Sequence, residues 1–240
     1  MSRKWLSVLV AGSGFLLAVG VLSGSAASLS LTSQNFTPYR TCTITATPAT
    51  TTAVIDTTAR QGTANGNFGA VNPLTVQSGS NPALNQRTYI RFDLTVCSPA
   101  IPASAIVRLA TLRLYMTAAP SACRVLDLFP ATAAWVETTL TWNNQPFGTT
   151  VNNPPTGSRS GTFSVGPAVC QNQAAGAYVV GGTVTADVAS FVAGTATNFG
   201  WMIRDDTEGS AATRTATFAA KELGTVAQEP QLVVTYVTLP

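Results

Sequence analysis

Short segments in which apolar and polar residues alternate limit the possible folds of this chain more than any other feature. In the segment YIRFDL, which begins at Tyr89, the apolar residues Ile90, Phe92 and Leu94 alternate with residues that can face outward. A period of two is typical of a β-strand with one buried face. The same pattern predicts strands at 112–116, 125–129 and 232–237, with further candidates at 72–77, 160–165, 176–181, 199–204 and 214–219.

Helical periodicity is confined to one short stretch. Asp187, a residue type that caps helices, begins a segment of one or two turns that runs to Ala193 and stops before Gly194. About ten strands without helices between them predict an all-β fold, an antiparallel β-sandwich with at most one or two short helical turns. A jelly roll is the expected form, because a domain of about 185 residues needs two sheets to bury this much apolar surface.

The predicted strand at 89–94 leads to expectations for both of its faces. We expect Phe92 to point into the core, together with Leu114 from the facing sheet. Arg91 and Asp93 alternate outward on the same strand. For these two residues we expect a cross-strand ion pair or a buried polar contact.

The first 27 residues have the order of an export signal. Arg3 and Lys4 precede an uncharged apolar run at 5–22, and small residues follow at 23–27. A basic start, an apolar stretch and a small-residue cleavage site define a signal peptide at 1–27, and retention as an N-terminal anchor is the alternative. No second apolar run of that length follows, so we expect a secreted, extracellular or cell-surface protein with no membrane span in the mature chain.

The segment that follows the signal is rich in serine, threonine, alanine and proline. We expect residues 28–52 to be a lead-in, ordered only where Cys42 holds it, and the folded domain to span 53–240. The chain contains four widely spaced cysteines, Cys42, Cys97, Cys123 and Cys170. An even number in an exported chain predicts two disulfides. Three pairings are open, and we favour Cys97–Cys123 with Cys42–Cys170, because the second bond would tie down the N-terminal segment.

The absence of histidine excludes several kinds of chemistry. Without an imidazole there is no Ser–His or Cys–His nucleophile pair and no zinc site of the kind that requires histidine. Only 10% of the residues are charged, and the net charge is +3, including Arg3 and Lys4 of the predicted signal. That balance argues against a surface that binds nucleic-acid phosphates. We expect a domain with no catalytic activity and no nucleic-acid partner.

Several motifs follow one another in order between residues 53 and 238. They are 65–69, 87–94, 110–115, Trp135-Val136-Glu137, 140–146, 198–203, and Glu222 with 230–236. Together they resemble the exported β-sandwich family called the DNRLRE domain. The resemblance implies a jelly-roll fold on secreted or surface proteins, often beside polysaccharide-active enzymes, and similarity to family-96 carbohydrate-binding modules. The four cysteines and the long stretch at 152–178 depart from that pattern.

Aromatic and amide side chains are concentrated around residue 142. An indole ring stacks on the face of a sugar and amides hydrogen-bond its hydroxyls, so Trp142, Asn143 and Asn144 are the predicted carbohydrate-binding residues. The alternative is structural: Trp135 and Trp142 would close one end of the sandwich. Both interpretations are open at this point.

Three acidic residues, Asp205, Asp206 and Glu208, follow the predicted strand that ends at Arg204. Carboxylates are preferred ligands of calcium, so a structural calcium ion is the candidate cofactor at these residues. The alternative is that Arg204 and Arg214 neutralise them. Two adjacent carboxylates at a strand end point apart, which argues against a glycosidase pair.

The function that these features favour is binding of a polysaccharide of an envelope, matrix or substrate through a shallow polar and aromatic surface. The alternative is a structural or assembly protein of a surface layer, fibre or extracellular matrix, in which the domain self-associates. Low charge and abundant threonine suit flat, hydrogen-bonding contact surfaces. A groove with an aromatic wall would favour glycan binding, whereas a flat apolar patch or a long free edge strand would favour assembly.

Overall fold

The structure is a computed structural model that describes residues 38–47, 51–167, 170, 175–179 and 181–238. Within these residues the chain forms eleven strands, one α-helix and six short 3₁₀ turns. The strands are β1 (Arg40–Thr45), β2 (Val54–Arg60), β3 (Leu74–Ser78), β4 (Gln86–Phe92), β5 (Ile106–Ala118), β6 (Arg124–Pro130), β7 (Gly161–Val165), β8 (Ala177–Val179), β9 (Trp201–Asp205), β10 (Arg214–Phe218) and β11 (Gln231–Val237). The helix is α1 (Thr185–Val192), and the turns are Thr51–Ala53, Gln61–Thr63, Pro82–Leu84, Leu94–Val96, Thr156–Ser158 and Lys221–Leu223. The predicted signal peptide lies outside the described residues.

The strands form one curled antiparallel sheet. Its order is β1-β11-β5-β10-β3-β4-β9-β6-β7, with β2 paired to β4 and β8 paired to β5. The 13-residue β5 joins two parts of the sheet, because its first part pairs with β11 and its end pairs with β8 and β10. One apolar core, which draws residues from both parts, lies inside the curl. The prediction of an all-β antiparallel fold is confirmed.

The predicted core residues are buried as expected. Phe92 of β4 and Leu114 of β5 are both 0% exposed and belong to the same core. Every predicted strand overlaps a strand of the structure, but β1 and β2 were not predicted. β1 lies inside the segment that we expected to be a lead-in, where six residues pair with β11. β2 is buried on both faces over most of its length and so shows no polar alternation.

A second apolar layer covers the outer face of β2, β4, β6 and β9. Ala131, Trp135, Leu140 and Trp142 come from residues 131–155, which we call the covering segment, and they pack on residues of all four strands. Tyr89 and its neighbour Ile90 are therefore both 0% exposed, although they point to opposite faces of β4. This part of the sheet is buried on both sides.

The α-helix of the described residues lies close to its predicted position. It begins at Thr185, two residues before the predicted start, and Val184 at the N-cap position provides no side-chain hydrogen bond. Asp187 is therefore not the cap; its Oδ2 accepts a hydrogen bond of 2.7 Å from Nε1 of Trp201. In the part of the chain that the structure describes, no helix has the length and apolar character needed to cross a membrane.

Two disulfides are present, but the favoured pairing is wrong. The bonds join Cys42 to Cys97 and Cys123 to Cys170, with Cα–Cα distances of 5.7 and 5.4 Å. Register explains the second bond: Cys123 directly precedes β6, and the β6–β7 pairing begins with Arg124 opposite Val165. The first bond fixes β1 to the turn after β4.

Candidate functional site

The structure places Trp142 inside the protein. Its side chain is 2% exposed, and its ring lies 4.7 Å from the Arg87 guanidinium carbon. Trp135 is 7% exposed and donates a 2.7 Å hydrogen bond from Nε1 to the carbonyl of Phe199. Neither indole therefore offers a ring face to a sugar, and both tryptophans cover one face of the sheet, which is the structural alternative from the sequence.

Asn143 and Asn144 are exposed, but their amides already hold loops together. Asn144 accepts a hydrogen bond from the N–H of Thr141 at 2.7 Å and donates one to the carbonyl of Thr139 at 2.9 Å. Asn143 donates to Oδ1 of Asn65 at 2.7 Å. These contacts fix the covering segment on the sheet.

The three acidic residues predicted as calcium ligands are neutralised by arginines. Arg124 forms ion pairs with Asp205 and Asp206, and Arg87 forms a buried two-point ion pair with Glu208 at 2.7 and 2.8 Å. The arginines that bind them are therefore not Arg204 and Arg214, which donate to backbone carbonyls instead. Among the described residues, these three carboxylates do not form a group able to share one ion.

A groove of about 540 Å³ lies at the end of β4. Its walls come from the β4 terminus, the two flanking turns, α1 and the segment before β9. The lining residues are Thr52, Arg91, Phe92, Asp93, Leu94, Thr95, Phe191 and Asn198. We call this surface the Arg91 groove.

Arg91 is the cation among the residues that line this groove. The expected cross-strand ion pair or buried polar contact is not found for Arg91 or Asp93 within the described part of the chain, and Asp93 accepts instead from the N–H and hydroxyl of Thr95 at 2.9 and 2.7 Å. Within the described residues, the Arg91 guanidinium makes no hydrogen bond or ion pair. It is half-buried and has its five donor hydrogens available.

The rest of the groove is held rigidly. Asn198 donates to the carbonyl of Phe92 at 2.8 Å and accepts from the N–H of Gly200 at 3.0 Å. Gly200 has φ +75°, and a Cβ there would lie 2.2 Å from the carbonyl oxygen of Ile90. Only glycine therefore permits β9 to approach β4 at this point. The ring of Phe191 is half-buried and packs on Trp201 with a centroid distance of 5.6 Å.

Comparison with known proteins decides the family. The family model of carbohydrate-binding module family 96 matches residues 47–236. The chain belongs to this family. A search of curated proteins finds no matching relative. The match confirms the resemblance to family-96 modules, and it begins after β1, so the disulfide-tethered first strand lies outside the matched region.

A second polar feature of the family-96 module is an acidic cluster formed by Asp56, Glu137 and Glu222. One carboxylate oxygen from each residue lies within 4.8 Å of the others. Glu137 accepts a hydrogen bond from the N–H of Asp56 at 2.8 Å, and Asp56 accepts one from the N–H of Lys221 at 3.0 Å. The Lys221 ammonium forms ion pairs with Glu137 and Glu222. These contacts join the turn before β11 to β2 and to the covering segment.

Burial and like charge perturb the titration of this cluster. Burial raises the pKa of Asp56 well above its ordinary value, and the charges of Glu222 and Glu137 raise it further, against the opposing effect of Lys221. Burial and the charge of Glu222 also raise the pKa of Glu229. Burial lowers the pKa of Lys221, but its hydrogen bonds with Glu222 and Glu137 outweigh that effect and raise it overall.

Sequence reasoning missed both features for different reasons. Arg91 and Asp93 were identified as outward-facing residues. A threonine two positions after Asp93 is a local signal that the Asp93 carboxylate caps the following turn, but nothing local indicates that Arg91 has no partner among the described residues. The acidic cluster joins residues 81 and 85 positions apart in the chain, so no motif spacing reveals it. The occurrence of Glu137 and Glu222 in separate motifs was the only available signal.

Proposed function

We propose that this family-96 module binds a polysaccharide in the Arg91 groove. The observation that carries the proposal is a half-buried guanidinium, in the wall of an open groove, that has no protein partner in the part of the chain that the structure describes. The protein does not use these donors, so a ligand can take them in exchange for water. Sugar hydroxyls and carboxylates are both acceptors for it.

The other walls of the groove suit a carbohydrate. Phe191 supplies an aromatic ring that can contact the apolar face of a pyranose, and Thr52 and Thr95 supply hydroxyls. Asn198 is already positioned by its two backbone contacts, so binding needs little reordering. A shallow surface of this kind, with few anchors, fits one or two sugar units of a longer chain.

We further propose that the module acts without catalysis and outside the cytoplasm. Two disulfides support an oxidising location. Membership of a family of carbohydrate-binding modules supports a binding role.

The proposal is tested by substituting Arg91 with Ala and measuring retention on a panel of neutral and uronic-acid polysaccharides. We expect a loss of affinity of about tenfold to hundredfold, since removal of a binding anchor commonly costs about 1 to 3 kcal/mol. Arg108→Ala is the matched control, because Arg108 is an exposed arginine on β5 that does not line the groove. Its retention should equal that of the parent protein.

Two results would contradict the proposal. Equal loss in Arg91→Ala and Arg108→Ala would indicate nonspecific charge attraction. A parent protein that binds no polysaccharide of the panel but sediments as a defined oligomer would instead support the assembly role.

A further inference from the structure

We propose that the acidic cluster of Asp56, Glu137 and Glu222 is a binding site for a divalent cation of the calcium type, at which Lys221 is the competing resident cation. The site is distinct from the Arg91 groove and shares none of its lining residues. The inference does not depend on glycan binding.

The first observation is the convergence of charge. Asp56, Glu137 and Glu222 approach one another within 4.8 Å through their carboxylate oxygens. Glu229 lines a cavity of about 240 Å³ together with Glu222 and Lys221. Three of the four glutamates in the chain therefore lie in this region, and Lys221 is the only lysine after Lys4. The region thus contains four carboxyl groups and one ammonium group, so it has more acidic than basic groups.

The second observation concerns individual oxygen atoms. Glu229 is 2% exposed, and within the described residues its Oε2 and the Oε2 of Glu222 are buried and accept no hydrogen bond. A buried carboxylate oxygen without a donor is costly, because it has lost its hydration and gained nothing in return. Both glutamates line the cavity, so a cation bound between them would give these oxygens a partner.

The chemistry of the donors selects the cation. The site offers only carboxylate oxygens, and the chain has no histidine, so hard cations such as Ca²⁺ are preferred over zinc or copper. Calcium needs six to eight oxygen ligands, and water can complete the set in an open cavity. Binding of Ca²⁺ requires the Lys221 ammonium to leave Glu137 and Glu222.

Ca²⁺ and the Lys221 ammonium compete for the same carboxylates, which predicts whether each variant binds calcium more tightly or more weakly. Calorimetric titration of the chelator-treated protein with CaCl₂ should give a dissociation constant of about 0.1 to 1 mM, the range of extracellular modules. Lys221→Met removes the competing charge and should tighten binding about tenfold or more. Glu222→Gln removes a ligand and should abolish binding. Asp206→Asn, a half-buried carboxylate outside the cluster, is the matched control and should bind as the parent does.

The reactivity of Lys221 provides an independent measurement. Acetylation of the native protein, followed peptide by peptide by mass spectrometry, should modify Lys221 several-fold faster in saturating CaCl₂ than in chelator. The reason is that the displaced side chain is released from the two carboxylates that hold it in place.

Two outcomes would show that the acidic cluster does not bind calcium. They are absence of calcium binding by both the parent and Lys221→Met, or binding by Glu222→Gln that equals the parent's. Loss of binding in Asp206→Asn would move the ion to the loop that follows β9. If Glu222→Gln fails to fold, the gain in affinity of Lys221→Met and the acetylation rate still decide the question.

Discussion

Arg87 and Arg91 lie on the same face of β4, four residues apart, but they differ in burial and in the hydrogen bonds that they make. Arg87 is 0% exposed and donates five hydrogen bonds, two of them to Glu208. Arg91 is half-buried and donates none within the described residues. The covering segment causes the difference, since it supplies Gln145 and two carbonyls to Arg87 and does not contribute to the lining of the Arg91 groove. A polar residue on this face is structural where it is covered and available for binding where it is not.

The largest expected effect is on the free energy of unfolding, which should fall when Arg87 is substituted and stay nearly unchanged when Arg91 is. Arg87→Met leaves Glu208 as a buried, unpaired charge, so we expect a loss of about 3 to 5 kcal/mol in the free energy of unfolding. Arg91→Met breaks no hydrogen bond or ion pair within the described residues and keeps a long side chain, so it should change the free energy of unfolding by less than about 0.5 kcal/mol. Urea denaturation monitored by tryptophan fluorescence measures both. Similar losses in the two variants would mean that Arg91 has a structural partner.

The intermediate effect concerns two asparagines that each make two hydrogen bonds to backbone groups. Asn144 fixes the covering segment, whereas Asn198 lines the groove. Substitution by alanine should cost each variant about 1 to 2 kcal/mol of stability, because both lose two hydrogen bonds. Only Asn198→Ala should also lose glycan retention, by about tenfold. Weaker retention by a folded Asn144→Ala would return the site to the region around Trp142.

The sequence predicted the fold better than the site, and the reason is physical. Strands with one buried and one more exposed face, such as β11 at Leu232 and Val234, show their period directly in the residue pattern. The covering segment has no such period, so nothing in the sequence indicated that it buries Trp142 and leaves Arg91 uncovered. Long-range packing decides which aromatic ring is exposed to a ligand, and it also decides which cysteines pair.

The smallest expected effect is a pH dependence in the covered region. Asp127 is 0% exposed, and burial raises its pKa despite the attraction of Arg159 and Arg204. The folded state then holds the proton more tightly than the unfolded state, so this group's contribution to stability falls as the pH rises from about 4 through its folded-state pKa.

Asp127→Asn should therefore flatten the fall in urea midpoint between about pH 4 and 7. Arg91→Met should leave that slope unchanged, because Arg91 does not contribute to the pKa shift of Asp127. A slope that is the same in Asp127→Asn and the parent would show that Asp127 is ionised normally in the folded protein.

The position of the bound glycan tests the central claim most directly. An isotope-labelled module can be titrated with a soluble oligosaccharide of whichever polysaccharide retains it, while backbone amide shifts are followed by NMR. We predict that the largest shifts lie at Thr52, at residues 93–95 and at Asn198, with residues 141–144 unaffected. Shifts concentrated at 141–144, with those of the Arg91 groove unchanged, would contradict the account.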